Sequence, residues 1–284
     1  MTERSASFLL PVAAVVAAMV SIQSGAAFAK TLFPVVGPAG MTALRVGFAA
    51  LILLALRRPW RHGLNARAFG AVALYGAALG LMNLLFYLSL RTVPLGIAVA
   101  IEFTGPLAVA LWGSRRLSDL AWIGLAVVGL ALLLPLHESA PVDPLGAALA
   151  LAAGGCWALY IVFGQAAGRA GGPAAVALGM SVAALLVAPV GIAQAGPDLL
   201  VPAALAAGLA VAVLSSALPY SLEMFALTRM PRPAFGVMMS LEPAIAALAA
   251  VPLLGEVPNP LQWLAILCVS AASIGMTVST RRTA

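Results

Sequence analysis

The stretch PLGIAVAIEFTGPLAVALWG, residues 94–113, decides the fold class, because it is an apolar run with a single charge near its centre. About 20 mostly apolar residues are enough for a helix to cross a bilayer. The charged residue, Glu102, is costly at that depth and is a functional candidate by default. Gly105 and Pro106 follow it, and both residue types weaken a helix. We therefore predict a membrane-spanning helix that breaks beside a buried carboxylate.

The composition of the whole chain agrees with this stretch. Hydrophobic residues make up 63% of the 284 residues and charged residues only 8%, whereas soluble domains carry about 25% charged residues. A soluble body of this size would lack the charge to cover its surface, so we expect lipid around it. Ten candidate spans lie between the charges and the Pro/Gly breaks: 8–29, 38–56, 68–90, 94–113, 119–136, 144–167, 174–193, 201–226, 233–253 and 261–279.

The positions of the basic residues predict the orientation of these spans. Ten spans bring both termini to the same side, and a cytoplasmic N-terminus places twelve of the fifteen Lys and Arg residues near inner ends. Acidic residues such as Asp143 and Asp198 then fall in outer loops, which follows the positive-inside rule. The net charge of +6 is therefore explained by topology. No basic run with interleaved aromatic residues indicates nucleic acid.

A second copy of the 94–113 pattern indicates an internal repeat. Ile101-Glu102 matches Leu241-Glu242 at a shift of 140 residues, and weaker matches follow in the same order along the chain. We predict two five-helix repeats, 1–140 and 141–284. Because five is odd, the second repeat enters the membrane from the opposite side, an architecture common in secondary transporters. The substrate site is then expected near the bilayer midplane, with alternating access by rocking of the two halves.

Four charged residues stand out inside predicted spans, away from the span ends, where charge is expensive. They are Arg45, Glu102, Glu223 and Glu242. Glu102 and Glu242 occupy matching positions in the two halves, whereas the counterpart of Glu223 is Phe86. Tyr220 shares a helix face with Glu223 at the i, i+3 spacing. Three acids against one base leave carboxylates that can bind a cation or a proton. The alternative is structural: the glutamates pair with Arg45, cap broken backbone or hydrogen-bond a neighbouring helix.

Further polar residues at helical spacings are candidates for lining the site. Asn83 and Tyr87 share one face of the third span, Trp157 and Tyr160 one face of the sixth, and Gln23 belongs to the first. For each, an interfacial aromatic belt or an interhelical hydrogen bond remains open. Gly-x-x-x-Gly spacings in the third and sixth spans predict close helix packing, and they leave a homodimer possible.

The chain lacks the sequence signatures of several other classes. It has no nucleotide-binding G-x-x-x-x-G-K-[ST] loop, no G-x-S-x-G elbow and no cluster of metal ligands, so we predict neither an enzyme nor a cofactor or metal site. Cys156 and Cys268 lie within spans and are interpreted as packing residues. Arg4, an apolar stretch and Ala27-Phe28-Ala29 imitate a secretory signal. We interpret this segment as a retained first helix, because it takes part in the repeat.

Several segments resemble the drug/metabolite transporter superfamily, specifically its EamA-type families and the bacterial exporters of threonine and homoserine within them. The second half also has the Gly-Glu pair that is common in EamA members, at Gly255-Glu256, whereas the first half departs with Gly113-Ser114-Arg115. The segments that carry the resemblance are TALR (42–45), LRTVPLGIAVAIEFTGPLAVAL (90–111), GGCWALYIVFGQ (154–165), SSALPYSLEMFALTRMP (215–231) and SLEPAIAAL (240–248).

The resemblance implies export of small hydrophilic amino acids across the bacterial inner membrane, driven by proton exchange. An amino-acid zwitterion needs a carboxylate for its ammonium group and a cation for its carboxylate. Our hypothesis assigns the first to Glu223 with Tyr220, and lets Arg45 supply the second or hold Glu102. Two alternatives remain open: a carrier of another small metabolite, aromatic compound or drug, and a non-transporting membrane protein.

Overall fold

The computed structural model describes residues 2–61, 66–93, 95–113, 117–133, 143–172 and 174–254, together with single positions between 260 and 275. Every regular element in this part of the chain is a helix. The α-helices are α1 (Thr2–Lys30), α2 (Phe33–Arg57), α3 (Ala66–Ser89), α4 (Leu95–Glu102), α5 (Thr104–Gly113), α6 (Leu117–Leu133), α7 (Pro144–Gly171), α8 (Ala174–Ala195), α9 (Pro202–Ala212), α10 (Leu218–Leu227), α11 (Arg232–Met238) and α12 (Glu242–Leu254).

Six helical stretches in the described part are long and apolar enough to cross a membrane. They are Leu9–Lys30, Phe33–Arg57, Ala68–Ser89, Pro144–Gly171, Ala174–Leu200 and Pro202–Leu227. Large apolar side chains such as Leu51, Leu56 and Leu185 are exposed on these helices, which is expected where lipid replaces water. The chain is thus an all-helical, multi-pass membrane protein. Most of the last predicted span, 261–279, lies outside the described residues.

The helix break predicted beside Glu102 is present. Helix α4 ends at Glu102 and α5 begins at Thr104. Pro106 explains the position of the break, because a proline ring clashes with the carbonyl four residues earlier, here that of Glu102. Pro106 itself lies in the first turn of α5, where no amide donor is needed.

The matching span of the second half is also broken at its glutamate. Helix α11 ends at Met238, a 3₁₀ turn covers Met239–Leu241, and α12 begins at Glu242. Pro243 lies in the first turn of α12, where proline is tolerated because no amide donor is needed. Both carboxylates therefore lie where the regular α-helix is interrupted.

Two other spans are irregular near the site. Helix α2 kinks at Gly37, whose φ of 67° and ψ of 169° are non-helical, and the regular part begins at Pro38 as predicted. Between α9 and α10 the chain forms a π-helical segment, Val213–Ala217. Pro219 accounts for it, because proline cannot donate to the carbonyl of Ser215 four residues earlier. Such π segments are frequent at functional sites.

Small residues bring the helices of the two halves close together. Helix α3 packs against α7 and α8, and α2 packs against α8. A Cβ atom at Gly80 would lie 2.9 Å from the Cα atom of Ala183, and one at Gly164 would lie 3.2 Å from a ring carbon of Tyr75 in α3. The Gly-x-x-x-Gly spacings are therefore used inside the bundle.

Asp143 joins the start of α7 to the turn that follows α3. Its Oδ2 atom accepts the Thr92 hydroxyl at 2.7 Å and the Gly146 amide at 2.9 Å. The Thr92 hydroxyl, and after it the Gly146 amide, hold the pKa of Asp143 below its ordinary value, because these hydrogen bonds favour the charged form. The residue therefore caps α7 best when ionised.

We expect this cap to be lost on acidification. Because the folded-state pKa is depressed, the stabilisation is present above the unfolded pKa of about 3.9 and disappears as the pH falls through the lower folded value. Melting temperatures in detergent, measured from neutral pH to strongly acid pH, should fall more steeply for the wild type than for Asp143→Asn. Identical slopes for the two proteins would show that Asp143 does not contribute.

Candidate functional site

A small cavity of about 50 Å³ lies among α1, α2, α3, α4, α7, α10 and α12. Nine of the ten residues that the sequence predicts for the site line this cavity. The tenth, Tyr160, donates a hydrogen bond to Glu223, which lines it. The lining residues are Ile22, Gln23, Ala26, Arg45, Met82, Asn83, Phe86, Tyr87, Val99, Glu102, Trp157, Tyr220, Glu223 and Glu242. Both predicted repeats therefore contribute to one site.

Neutral side chains hold Arg45, which is only 3% exposed. Its Nη1 atom donates to the Tyr87 hydroxyl at 2.9 Å, its Nη2 atom donates to Oδ1 of Asn83, and the guanidinium carbon lies 4.4 Å from the centre of the Tyr87 ring. The same Oδ1 atom accepts the Tyr220 hydroxyl at 3.0 Å. The Asn83–Tyr87 face predicted from the i, i+4 spacing is thus the face that binds the guanidinium.

The hypothesis that Arg45 holds Glu102 stays a prediction, because the two groups are within electrostatic range while the guanidinium makes its hydrogen bonds elsewhere. The hydrogen bonds of the Arg45 guanidinium in the described residues go to Tyr87 and Asn83. Glu102, at the end of α4, is within electrostatic range of both Arg45 and Glu242. Sequence spacing could not reveal this, because the choice of partner depends on how α2, α3 and α4 cross.

Glu223 is paired differently from the sequence hypothesis. The side-chain hydroxyl of Tyr160 in α7 donates to its Oε2 atom. Tyr220 lines the same cavity as Glu223, as the i, i+3 spacing predicts. Its hydroxyl, however, donates to Asn83 of α3. The Tyr160 and Tyr220 rings meet edge to face, with centroids 5.9 Å apart. Tyr160 is therefore the nearer partner of the carboxylate.

Glu242 is held on one side only. Its Oε1 atom accepts the side-chain amide of Gln23 from α1 at 2.9 Å. Within the part of the chain that the structure describes, its Oε2 atom is buried without a hydrogen-bond partner, as is Nε of Arg45. Native proteins pair nearly all buried polar atoms, so unpaired ones on charged groups mark a place where a ligand, an ion or water is needed.

Sequence reasoning missed the apolar part of the lining and the support behind Tyr160. Ile22 and Ala26 flank Gln23 on α1, and Met82 and Phe86 lie beside Asn83 on α3. These residues lie at i−1 and i+3 from Gln23 and Asn83, so extending the search to those positions would have found them. Tyr75, buried behind Tyr160 with ring centroids 5.3 Å apart, has no comparable signal, because a buried tyrosine at one position fits an ordinary core.

Gly154 of α7 fixes the approach of that helix to the break in α4. A Cβ atom there would lie 2.5 Å from the carbonyl oxygen of Glu102, whereas a Cβ atom at the exposed neighbour Gly155 would meet nothing within 4 Å. The two adjacent glycines therefore form a matched pair for testing the site.

We expect Gly154→Ala to displace Glu102 and to lower both stability and transport. Overpacking of this kind costs about 1–3 kcal/mol. Gly155→Ala should leave transport unchanged and melt at the same or a slightly higher temperature, because alanine favours helices over glycine by about 1 kcal/mol. The measurements are melting in detergent and transport after reconstitution. Equal behaviour of the two variants would contradict the close approach.

Comparisons with known proteins agree with this architecture. The sequence profile of the EamA-like transporter family matches residues 144–278. The threonine/homoserine exporter RhtA of Escherichia coli (strain K12) is 54% identical over 274 residues, which are 96% of this chain and 93% of that protein. The protein of the same name from Salmonella typhimurium (strain LT2) is 55% identical with the same coverage. A crystal structure with 20% identity superposes over 98% of both chains with a TM-score of 0.75, which shows a shared fold.

A membrane bundle with helices broken around buried charges is the architecture of a secondary transporter. The similarity to the two exporters covers almost the full length of all three proteins. The chain belongs to the EamA-like transporter family. It is accordingly a transport protein and not an enzyme.

Proposed function

We propose that the protein exports small hydrophilic amino acids, threonine and homoserine among them, across the bacterial inner membrane. The relatives that share more than half of its residues are named as exporters of these two compounds. The structural observation that carries the proposal is the cavity itself, because it combines one guanidinium with three carboxylates at a depth where charges are otherwise avoided.

The cavity chemistry favours a zwitterion over a drug-like solute. Drug-sized ligands occupy pockets of roughly 300–1,000 Å³ lined mainly by apolar side chains. This cavity is about 50 Å³, and most of its lining side chains carry polar atoms. A small amino acid matches its charges of opposite sign and needs less widening of the cavity than a drug-sized solute. The second candidate function, transport of an aromatic compound or drug, requires a much wider and more apolar site.

We propose the ten-span architecture of two inverted five-helix repeats, 1–140 and 141–284, with both termini in the cytoplasm. The breaks at Glu102 and Glu242 support it, because they fall at matching positions of the two repeats. The cavity between the halves then opens alternately to either side as the repeats rock.

Proton exchange supplies the driving force in this proposal, and Glu223 carries the proton. The residue is only 1% exposed, and it is hydrogen-bonded by Tyr160, a neutral donor that does not hold the carboxylate permanently charged. The titratable groups around it are Tyr75, Tyr160, Tyr220 and Glu242. Export of one amino acid is then coupled to a proton that binds Glu223 from outside and leaves to the cytoplasm.

Reconstitution into proteoliposomes tests the substrate class. Vesicles preloaded with unlabelled threonine should take up labelled threonine and homoserine by exchange, and a panel of aromatic amines and dyes should not compete. Inhibition by the dyes, with no exchange of any amino acid, would favour the drug-transport alternative. A folded protein that exchanges no compound of the panel would contradict transport altogether.

A further inference from the structure

We infer that two charged groups with fully buried, unpaired atoms in the described residues bind the two ends of the substrate. Glu242, held by Gln23, takes the ammonium group, and the Nε edge of Arg45 takes the carboxylate. The assignment rests on the proposed function, since it presupposes an amino-acid substrate. It replaces the sequence hypothesis that Glu223 with Tyr220 is the ammonium partner. It also gives Glu242 and Glu223 different tasks, since Glu223 is left to carry the proton.

Glu242 has the features of an ammonium site. It is 4% exposed, it stands at the break between α11 and α12, and Gln23 of α1 fixes one of its oxygen atoms at 2.9 Å. Its other oxygen atom has no partner in the described part of the chain. An ionised carboxylate offers about four acceptor positions, and an ammonium group brings three donors. A bound ammonium therefore removes the cost of leaving that oxygen unpaired.

Arg45 is prepared in the same way for a carboxylate. A guanidinium has five N–H donors in a rigid fork. Tyr87 and Asn83 use one donor on each terminal nitrogen and thereby fix the plane of the group. The Nε donor is buried and unpaired in the described residues. An Nε–H next to a terminal N–H is the paired arrangement that binds a carboxylate through two hydrogen bonds.

Glu223 and Glu102 are poorer candidates for the ammonium group. One oxygen of Glu223 already accepts the Tyr160 hydroxyl, and that tyrosine is packed against Tyr75. Glu102 lies within electrostatic range of Glu242 as well as of Arg45, and no described neighbour orients its carboxylate as Gln23 orients that of Glu242. Among the described residues, Glu242 has the neutral Gln23 as its hydrogen-bond partner. The substrate ammonium is therefore the missing cation of Glu242.

Ligand-induced thermal stabilisation in detergent tests the assignment without requiring transport. The probes are threonine, 2,3-dihydroxybutyrate, in which a hydroxyl replaces the ammonium, and threonine amide, which lacks the carboxylate. A ligand that binds only the folded state raises its melting temperature according to its concentration relative to Kd. We expect the wild type to bind each of the two analogues about 10- to 100-fold more weakly than threonine, because each lacks a charge-assisted contact.

The variants should separate the two ends of the substrate. In Glu242→Gln, the preference for threonine over 2,3-dihydroxybutyrate should disappear, while the preference over threonine amide remains. In Arg45→Lys, the preference for threonine over threonine amide should disappear, while the preference over 2,3-dihydroxybutyrate remains. Gln23→Ala should also reduce the preference for threonine over 2,3-dihydroxybutyrate, because Glu242 loses the side chain that fixes it. This variant tests the ammonium site if Glu242→Gln does not fold. Arg57→Lys, on the exposed end of the same helix as Arg45, is the control and should behave like the wild type.

Two results would overturn the assignment. One is a Glu242→Gln variant that folds and keeps the wild-type preference for threonine over 2,3-dihydroxybutyrate. The other is a loss of that preference in Glu223→Gln, which would return the ammonium site to Glu223. A wild-type protein that is stabilised by no amino acid would instead contradict the proposed function, so the two failures are distinguishable.

Discussion

Replacing Arg45 by lysine is expected to reduce amino-acid transport about 100-fold or more while the protein still inserts and folds. Lysine keeps the positive charge but has a single nitrogen, so it cannot bind Tyr87, Asn83 and a substrate carboxylate in fixed directions at once. Each hydrogen bond to a charged group contributes about 1.5–3 kcal/mol, and 1.4 kcal/mol corresponds to a factor of ten. Exchange of labelled threonine in proteoliposomes measures the loss.

A matched substitution at the end of the same helix controls for the effect of an arginine change in α2. Arg57 is exposed and lies outside the cavity that holds Arg45, so Arg57→Lys should transport at the wild-type rate. Melting in detergent confirms that both variants fold. If Arg45→Lys exchanges threonine as fast as Arg57→Lys, the guanidinium does not position the substrate and the account of the site is wrong.

Replacing Glu223 by glutamine is expected to separate exchange from proton-driven transport. Glutamine has the same shape, and its oxygen can still accept the Tyr160 hydroxyl, but it cannot take up or release a proton. Threonine exchange between the two sides should continue, whereas accumulation against a gradient should fall to background. The remaining exchange should depend less on pH, because the group that titrates in the coupling step is gone.

Asp198→Asn is the control for this substitution. Asp198 is an exposed carboxylate in a 3₁₀ turn, Gly196–Leu200, away from the cavity, and its removal should leave accumulation intact. Accumulation of threonine by Glu223→Gln at the wild-type level would show that another group carries the proton. In that case Glu102, which also lines the cavity, is the next residue to replace.

The sequence predicts the breaks in the helices and the set of buried polar residues well, for local reasons. The ring of Pro106 clashes with the carbonyl of Glu102 four residues earlier, so a few neighbouring residues determine where the helix is interrupted. A helix places residues at i, i+3 and i+4 on one face, so Asn83 and Tyr87 could be expected to point the same way. Charges inside apolar runs are few enough to be identified one by one.

The partners within the site could not be predicted, because they come from different helices. Whether Glu223 accepts Tyr160 or Tyr220 depends on the crossing of α7 and α10, and both tyrosines lie in apolar runs at plausible spacings. The pairing of Arg45 with neutral groups, and the attachment of Glu242 to Gln23 of α1, depend in the same way on how the bundle is packed. The roles that we propose for the carboxylates rest on these contacts.

Uptake of labelled threonine into inside-out membrane vesicles tests the central claim most directly. In such vesicles export is seen as uptake, and an acidic interior provides the proton gradient that exchange would use. We expect threonine to accumulate when the interior is acidic, and a protonophore to abolish the accumulation. Threonine uptake that is the same with and without the gradient would contradict proton exchange, and no threonine uptake by correctly inserted protein would contradict amino-acid export itself.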